Sequence, residues 1–305
     1  MDNCQWPGAH GWVRPSWHDR GVTSPAGEDH GPRVALFGVD AFTDRPFGGN
    51  PAMVCLLPGP AGDGWMQRVA AELNRPATAF LHDRRLRWFT PAVELQLCGH
   101  GTLAAAHVLY EAGLVAPADP IVFQTVSGPL RAWRQEGLVW IEFAPVTVQE
   151  TAVPGAVLEA LNLGGVIWFG GNKDEYVVVL GTPGEVEAVR PDLERIRRLP
   201  VSRVLVTAPG GDDADFTSRN FAPVLGLDED QATGSAHAVL GPLWAGRFGR
   251  RRLSALQASL RRGRLAVAVE DDWVHVGGHA ITITRGEWLP KTGDARSGAR
   301  AARRT

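Results

Sequence analysis

A repeat constrains this chain more than any other feature. Phe89-Thr90-Pro91, Glu94, Gly99-His100-Gly101 and Ala105 are echoed by Phe221-Ala222-Pro223, Glu229, Gly234-Ser235-Ala236 and Leu240. In both copies the glutamate stands five residues before the glycine, and 135 residues separate Gly99 from Gly234. Each copy reads as an F-x-P segment, an acidic residue, a small-residue turn and an alanine-rich helix. An internal copy at this spacing implies two similar halves. A length of 305 residues, 44% hydrophobic, supplies enough apolar material for two such halves to share a packed core.

The material around the repeat is strand-rich. Val34–Val39, Ala52–Leu57, Thr78–His82, Arg85–Phe89, Ile121–Thr125, Val139–Phe143, Tyr176–Leu180 and Val201–Thr207 read as short strands. Trp65–Leu73 carries helical spacing and is stopped by Asn74-Arg75-Pro76, and Thr102–Glu111 reads as a helix ending at Gly113. Many short strands, few helices and no βαβ rhythm predict an α+β fold built on antiparallel sheet. Residues 1–33 and 291–305 show no period of 2 or 3.6 and are expected to be a disordered extension and a disordered tail. The first half is expected over 34–126 plus 278–290, and the second over 127–277.

Composition removes several classes of function. A net charge of −2 gives no electrostatic case for nucleic acid or an anionic membrane as partner. No apolar run approaches the ~18–20 residues needed to span a bilayer, and the N-terminus lacks a basic stretch followed by an apolar one. The expected location is the cytoplasm. Cys4, Cys55 and Cys98 form no CxxC pair and no even set, against a disulfide framework or structural zinc. His100 and His107 lie seven apart without a third ligand in register, so no metal is expected. Gly48-Gly49-Asn50 reads as a turn and lacks the spacing of a dinucleotide site, and no phosphate-binding loop is present. No cofactor is implied. Trp65, Trp88, Trp168 and Trp244 are expected in the core or at an interface rather than as a cage for an aromatic ligand.

A glycine turn opening a helix presents unpaired N–H groups and the positive end of the helix dipole. Two such turns facing one another would grip an anion, most naturally the carboxylate of a small molecule. Beside the grip stand His100 in the first copy and Glu229, Asp230 and Ser235 in the second. One proton-transfer group from each half suits moving a proton on a small carboxylic acid. Ordinary helix caps would leave the same residues in the sequence, with Ser235 or Asp230 satisfying backbone donors. His237, Glu72 and Glu94 are expected to orient loops rather than react.

Several strings together resemble the phenazine-biosynthesis PhzF family. They are Asp40-Ala41-Phe42-Thr43, Phe47-Gly48-Gly49-Asn50-Pro51-Ala52, Arg87-Trp88-Phe89-Thr90-Pro91, Leu97-Cys98-Gly99-His100-Gly101-Thr102, Ser218-Arg219-Asn220-Phe221 and Glu229-Asp230-Gln231-Ala232-Thr233-Gly234-Ser235-Ala236-His237. The resemblance implies the diaminopimelate-epimerase fold: two pseudo-symmetric halves, each a curved antiparallel sheet around a central helix, with the site between them. It also implies a homodimer. By the same resemblance His100 and Asp230 fall on catalytic positions, while Gly99, Gly101, Gly234, Ser235, Asn74 and Ala77 fall around the substrate. Cysteine racemases of this fold need a thiol in each half. Here Cys98 stands in the first loop and its counterpart is expected near Ala232, so that reaction is not expected.

One position departs from the pattern. The family resembles Asn-x-Ser-Glu-Thr-Ala-Phe where this chain has Asn74-Arg75-Pro76-Ala77-Thr78-Ala79-Phe80, and the glutamate is the family's proton shuttle. A methyl group cannot exchange a proton. Another residue (Asp230, His100 or Glu94) could be the base of a different isomerisation, dehydration or cyclisation. The cleft could orient a reactive substrate that needs little acid–base help. Or the protein could bind a ligand without turning it over. The expectation taken forward is a PhzF-like isomerase of specialised metabolism, with His100 and Asp230 as its acid–base pair.

Overall fold

A computed structural model describes residues 34–289 of the chain; the expected N-terminal extension and C-terminal tail lie outside them. The first half runs β1 (Val34–Ala41), β2 (Asn50–Leu56), α1 (Asp63–Leu73), β3 (Ala77–His82), β4 (Arg85–Phe89), β5 (Glu94–Leu95), α2 (Gly99–Glu111), β6 (Ile121–Thr125), β7 (Gly128–Gln135) and β8 (Leu138–Phe143). The second opens with β9 (Gln149–Glu150), α3 (Gly155–Leu161), β10 (Trp168–Gly171), β11 (Glu175–Val179), α4 (Pro183–Ala188), α5 (Leu193–Arg197) and β12 (Arg203–Pro209). It continues through β13 (Phe216–Ala222), β14 (Leu227–Asp230), α6 (Gly234–Phe248), β15 (Arg252–Gln257), β16 (Gly263–Val269) and β17 (Val274–Gly278), before β18 (Ala280–Trp288).

The ladders repeat step for step. The first half pairs in the order β18-β1-β2-β3-β4-β6-β7-β8, with β5 also on β4. The second pairs β9-β10-β11-β12-β13-β15-β16-β17, with β14 also on β13. The parallel steps fall at the same places, β2–β3 and β4–β6 against β11–β12 and β13–β15. All other pairings are antiparallel, and β8 joins β17 to link the halves. By strand pairing the first half runs on through β7 and β8 to Phe143, past the boundary expected between 126 and 127. β6 needs a partner for its free edge, and β7 supplies it. β7 and β8 turn back on each other through Glu136 and Gly137, both at positive φ, as a tight two-residue hairpin requires, and both strands pack on α2.

Each half wraps one central helix. α2 is buried along nearly its whole length, from Gly99 to Ala106 and from Val108 to Tyr110, so it is apolar on all sides rather than along one stripe. It begins at Gly99, three residues ahead of the expected Thr102: the glycines' poor helix propensity yields to the need to bury this turn. α6 carries Pro242 inside it. Proline has no N–H to give, and Val146, in the link between the halves, donates instead to the carbonyl of Ala238, 3.1 Å away. A single apolar core runs through both helices, including Leu103, Leu109, Val239 and Trp244. Trp65 and Trp88 are buried, as is Trp244, whereas Trp168 is half-buried with the Arg247 guanidinium 5.2 Å from its ring centre.

Candidate active site

The two central helices meet end to end. A Cβ placed on Gly99 would lie 2.9 Å from the Gly234 Cα and 3.2 Å from the Ser235 nitrogen. One on Gly234 would lie 3.3 Å from the Gly99 Cα and from the Phe42 ring. Only glycine allows this approach. Neither N-cap side chain, Cys98 or Thr233, closes its helix with a cap hydrogen bond. First-turn donors and two dipole ends of the same sign therefore converge on one place, an arrangement that favours an anion. Phe42, which floors the contact, is fully buried at φ 63, a left-handed conformation that a bulky residue adopts only under constraint. Gly101 is needed for packing: a Cβ there would sit 2.8 Å from the Trp88 ring and 3.0 Å from the Cys98 sulfur.

On the second-half side stands Asp230, buried and held from both halves. Asn50, at the head of β2, donates through Nδ2 to Asp230 Oδ1 at 2.6 Å and to the Ala232 carbonyl at 2.8 Å. The Thr233 hydroxyl donates to Asp230 Oδ2 at 2.6 Å. Thr233 Oγ1 in turn accepts from Asn220 Nδ2 at 3.0 Å and from Gln257 Nε2 at 3.2 Å. Gln257 also donates to the Asp230 carbonyl at 2.6 Å and accepts from the Thr233 N–H at 2.7 Å. Each carboxylate oxygen keeps a lone pair beyond these bonds.

On the first-half side stands His100, in the first turn of α2 and 3% exposed. Its Nδ1 lies 3.6 Å from the Cys98 sulfur. Burial pulls the imidazole below its usual value, while the charge of Asp230 pulls it partly back. The ring is therefore neutral at pH 7, able to accept a proton, and its charged form is favoured by Asp230. Burial pushes the Cys98 thiol up, so it stays protonated. Cys98 and Thr233 occupy the same N-cap position in the two helices. The counterpart of the thiol is therefore Thr233, one residue beyond the expected Ala232, and its hydroxyl is committed to Asp230.

The other expected residues are spread over several elements. Ala77 is fully buried at the head of β3, on the face turned to the shared core with Ala79 and Leu81. Asn74 is an exposed C-cap of α1 at φ 46, its N–H bonded to the Ala70 carbonyl, and Glu72 is exposed on α1. Glu94 and Glu229, weighed above as acid–base groups, are both engaged by arginine. Arg87 reaches Glu94 through two bonds of 2.7 Å, and Arg219 reaches Glu229 through two of 2.8 Å. The Arg-x-Phe ahead of each glutamate was the sequence signal for this pairing, because each guanidinium also lies over its phenylalanine. His107 bonds Thr282 at 3.1 Å, and among the described residues no group of three or more His, Cys, Asp or Glu could hold a metal ion. His237 is fully buried, with Nδ1 on the Thr233 carbonyl at 2.8 Å.

Sequence reasoning missed Asn50, read only as part of a turn, and it missed Asn220, Thr233 and Gln257 as the frame of Asp230. Arg203, which donates to Ser235 Oγ at 3.0 Å, carried no motif. A groove of about 470 Å³ lined by Phe42, Asp44, Arg45, Arg262, Arg264 and His279 includes none of Gly99, Gly234, His100, Asp230 or Ser235 in its lining.

Known proteins resemble this chain in sequence and fold. Residues 39–286 match the family model described as phenazine biosynthesis-like protein. An uncharacterised isomerase of Halalkalibacterium halodurans is 37% identical over 260 residues, covering 83% of this chain and 98% of the relative. Another, of Pseudomonas aeruginosa, is 42% identical over 252 residues, covering 81% and 95%. The crystal structure of a PhzF-family phenazine biosynthesis protein from Enterococcus faecalis superposes with a TM-score of 0.79 at 35% identity, covering 85% of this chain and 100% of that one. Paired ladders, glycine-tipped helices and a match spanning nearly all the described residues agree, and the chain belongs to the phenazine biosynthesis-like, or PhzF, family.

Proposed function

We propose that this protein is an isomerase that shifts a proton, and with it a double bond, in a small cyclic or unsaturated carboxylic or amino acid. One observation carries the reading: two glycine-tipped helix N-termini meet at Gly99 and Gly234, with His100 and Asp230 brought to the junction from opposite halves. The substrate carboxylate sits against the first-turn N–H groups and Ser235. Fixing the carboxylate places the adjacent carbon within reach of His100, and positioning of this kind supplies much of a barrier reduction. Neutral His100 takes the proton from that carbon. The C–H electrons move into the conjugated system, the imidazolium is favoured by Asp230, and the proton returns at the far end of the displaced double bond. Atoms and electrons balance without a redox partner.

Ala77 supports a second reading, a protein that binds such a ligand without turning it over. Solvent deuterium incorporation separates the two. A panel of cyclic and unsaturated amino and carboxylic acids in D2O is followed by NMR with wild type, His100→Ala and Asp230→Asn. Exchange in wild type and its loss in both folded variants supports the isomerase. Thermal stabilisation by a ligand with neither exchange nor isomerised product supports the binder. Full exchange in both variants refutes the assignment of His100 and Asp230.

A further inference from the structure

The equivalence of the halves singles out a residue that no motif marks. In the first half Ala52 pairs with Ala77 at the head of the parallel β2–β3 ladder. At the head of the equivalent β11–β12 ladder, Glu175 pairs with Arg203. The second of these pairs reaches Ser235, the second residue of its central helix. Where the first half leaves two methyl groups, the second builds an ion pair.

That pair is buried and fully directed. Arg203 donates from Nε and Nη2 to Glu175 Oε2 at 2.6 and 2.5 Å, and from Nη1 to Ser235 Oγ at 3.0 Å. The Glu175 side chain is 3% exposed and that of Arg203 16%. Asn172 Nδ2 donates to Glu175 Oε1 at 3.1 Å. A buried ion pair contributes little to stability over well-packed apolar side chains, so its use lies in what it orients. Guanidinium only donates. Ser235 Oγ must therefore accept from Arg203, and the serine proton is turned away from it.

We propose that Arg203, anchored by Glu175, is a positioning residue that sets the Ser235 hydroxyl as a donor to the carboxylate held at the joined helix N-termini. This rests on the carboxylate site proposed above. A hydroxyl whose oxygen already accepts from a cation is a stronger donor, and the guanidinium adds positive charge beside two helix ends of the same sign.

Benzoate serves as the probe, titrated calorimetrically against the full chain, with benzamide as the uncharged control. Wild type is expected to bind benzoate and not benzamide. Ser235→Ala is expected to weaken benzoate about tenfold, as loss of a hydrogen bond to a charged group does. Glu175→Met with Arg203→Met replaces the pair by apolar side chains and avoids stranding a buried charge. It is expected to cost at least as much, and adding Ser235→Ala to it should cost less than twofold more. Arg203→Lys keeps a donor for Ser235 Oγ and should recover most of the affinity, a rescue that a purely structural role would not give. Benzoate affinity within twofold of wild type in the paired Met variant overturns the inference while the carboxylate site stands. Additive losses, or no rescue by lysine in a folded protein, also overturn it. A wild type that binds benzoate no better than benzamide removes the carboxylate site itself.

Discussion

Gly99→Ala tests the contact on which the site depends. The new Cβ would meet the Gly234 Cα at 2.9 Å, the Ser235 nitrogen at 3.2 Å and the Gly234 nitrogen at 3.3 Å, all backbone. Carbon atoms rest at about 3.5–4.0 Å, so the helices must part by about 0.6–1 Å. Overpacking of this kind costs about 1–3 kcal/mol. Replacing glycine returns about 0.4–1 kcal/mol through the unfolded chain, leaving a net loss of up to about 2.6 kcal/mol. The effect on chemistry is larger than that on stability, because misplacing a bound group by about 1 Å can cost about 100-fold in rate. The control lies in the second central helix. Gly246 is exposed inside α6 with nothing within 4 Å of an added Cβ, so Gly246→Ala should stabilise by about 0.5–1 kcal/mol through helix propensity. Urea denaturation of the three proteins should give midpoints in the order Gly246→Ala, wild type, Gly99→Ala with a common slope. A Gly99→Ala protein as stable as Gly246→Ala, with undiminished exchange or ligand affinity, would refute the end-to-end contact.

Two further outcomes follow from buried titrating groups. Burial pushes His237 down from 6.5 to about 4, so the unfolded chain takes up that proton first as the pH drops. The folded state keeps its full advantage above pH 6.5 and loses about 3 kcal/mol of it between about pH 6.5 and pH 4. His237→Gln, which retains an N–H for the Thr233 carbonyl, should show a flatter urea midpoint against pH; identical profiles would remove His237 as the cause. Ala77→Glu places a carboxylate on the core-facing side of β3, a strand that packs on α2, and a neighbouring negative charge raises an imidazole by about 1–3 pH units. The acid limb of deuterium exchange, set in wild type by a His100 held below 6.5, should move to higher pH by about one unit or more. An unmoved limb would mean that the position does not address His100.

What could be read from the sequence was local. A glycine at a helix start, an F-x-P turn and an acidic residue at fixed spacing each reflect a constraint within a few residues, and together they revealed the two halves. The groups that frame the chemistry are joined across long separations. Asn50 and Asp230 are 180 residues apart, and Arg203 and Glu175 are 28 apart. No periodicity links such residues; they meet because parallel ladders and the β8–β17 junction bring strand heads together. Glu229 shows the opposite error. Its repetition as Glu94 suggested acid–base chemistry, yet a residue that recurs with the same arginine in both halves is repeating a structural bond. The early start of α2 has a tertiary cause as well, since Gly99 is helical because Gly234 faces it.

The halves share a backbone and differ in the side chains at its junction, and that asymmetry limits the reaction. Equivalent positions carry Cys98 against Thr233, His100 against Ser235, and Ala52 with Ala77 against Glu175 with Arg203. A racemase that removes a proton from one face and returns one to the other needs a proton-transfer group at each equivalent position. Here the first half offers a neutral imidazole, whereas the second offers a serine fixed by a cation and a threonine whose proton is bound to Asp230. Under the proposed isomerisation, chemistry that begins and ends at His100 fits this distribution: the same ring would remove and restore the proton on one face, the second half would hold the carboxylate, and Asp230 would balance the charge. Such a shift retains label. In D2O a single-base enzyme returns part of the substrate's own hydrogen to the product, in proportion to how slowly the buried imidazolium exchanges with solvent, while a two-base enzyme places solvent deuterium at the product carbon in every turnover. Substrate hydrogen found at the product carbon at the earliest measurable conversion is the expected result; opposite-face delivery of the proton, read from the configuration at the product carbon, would refute the one-sided mechanism.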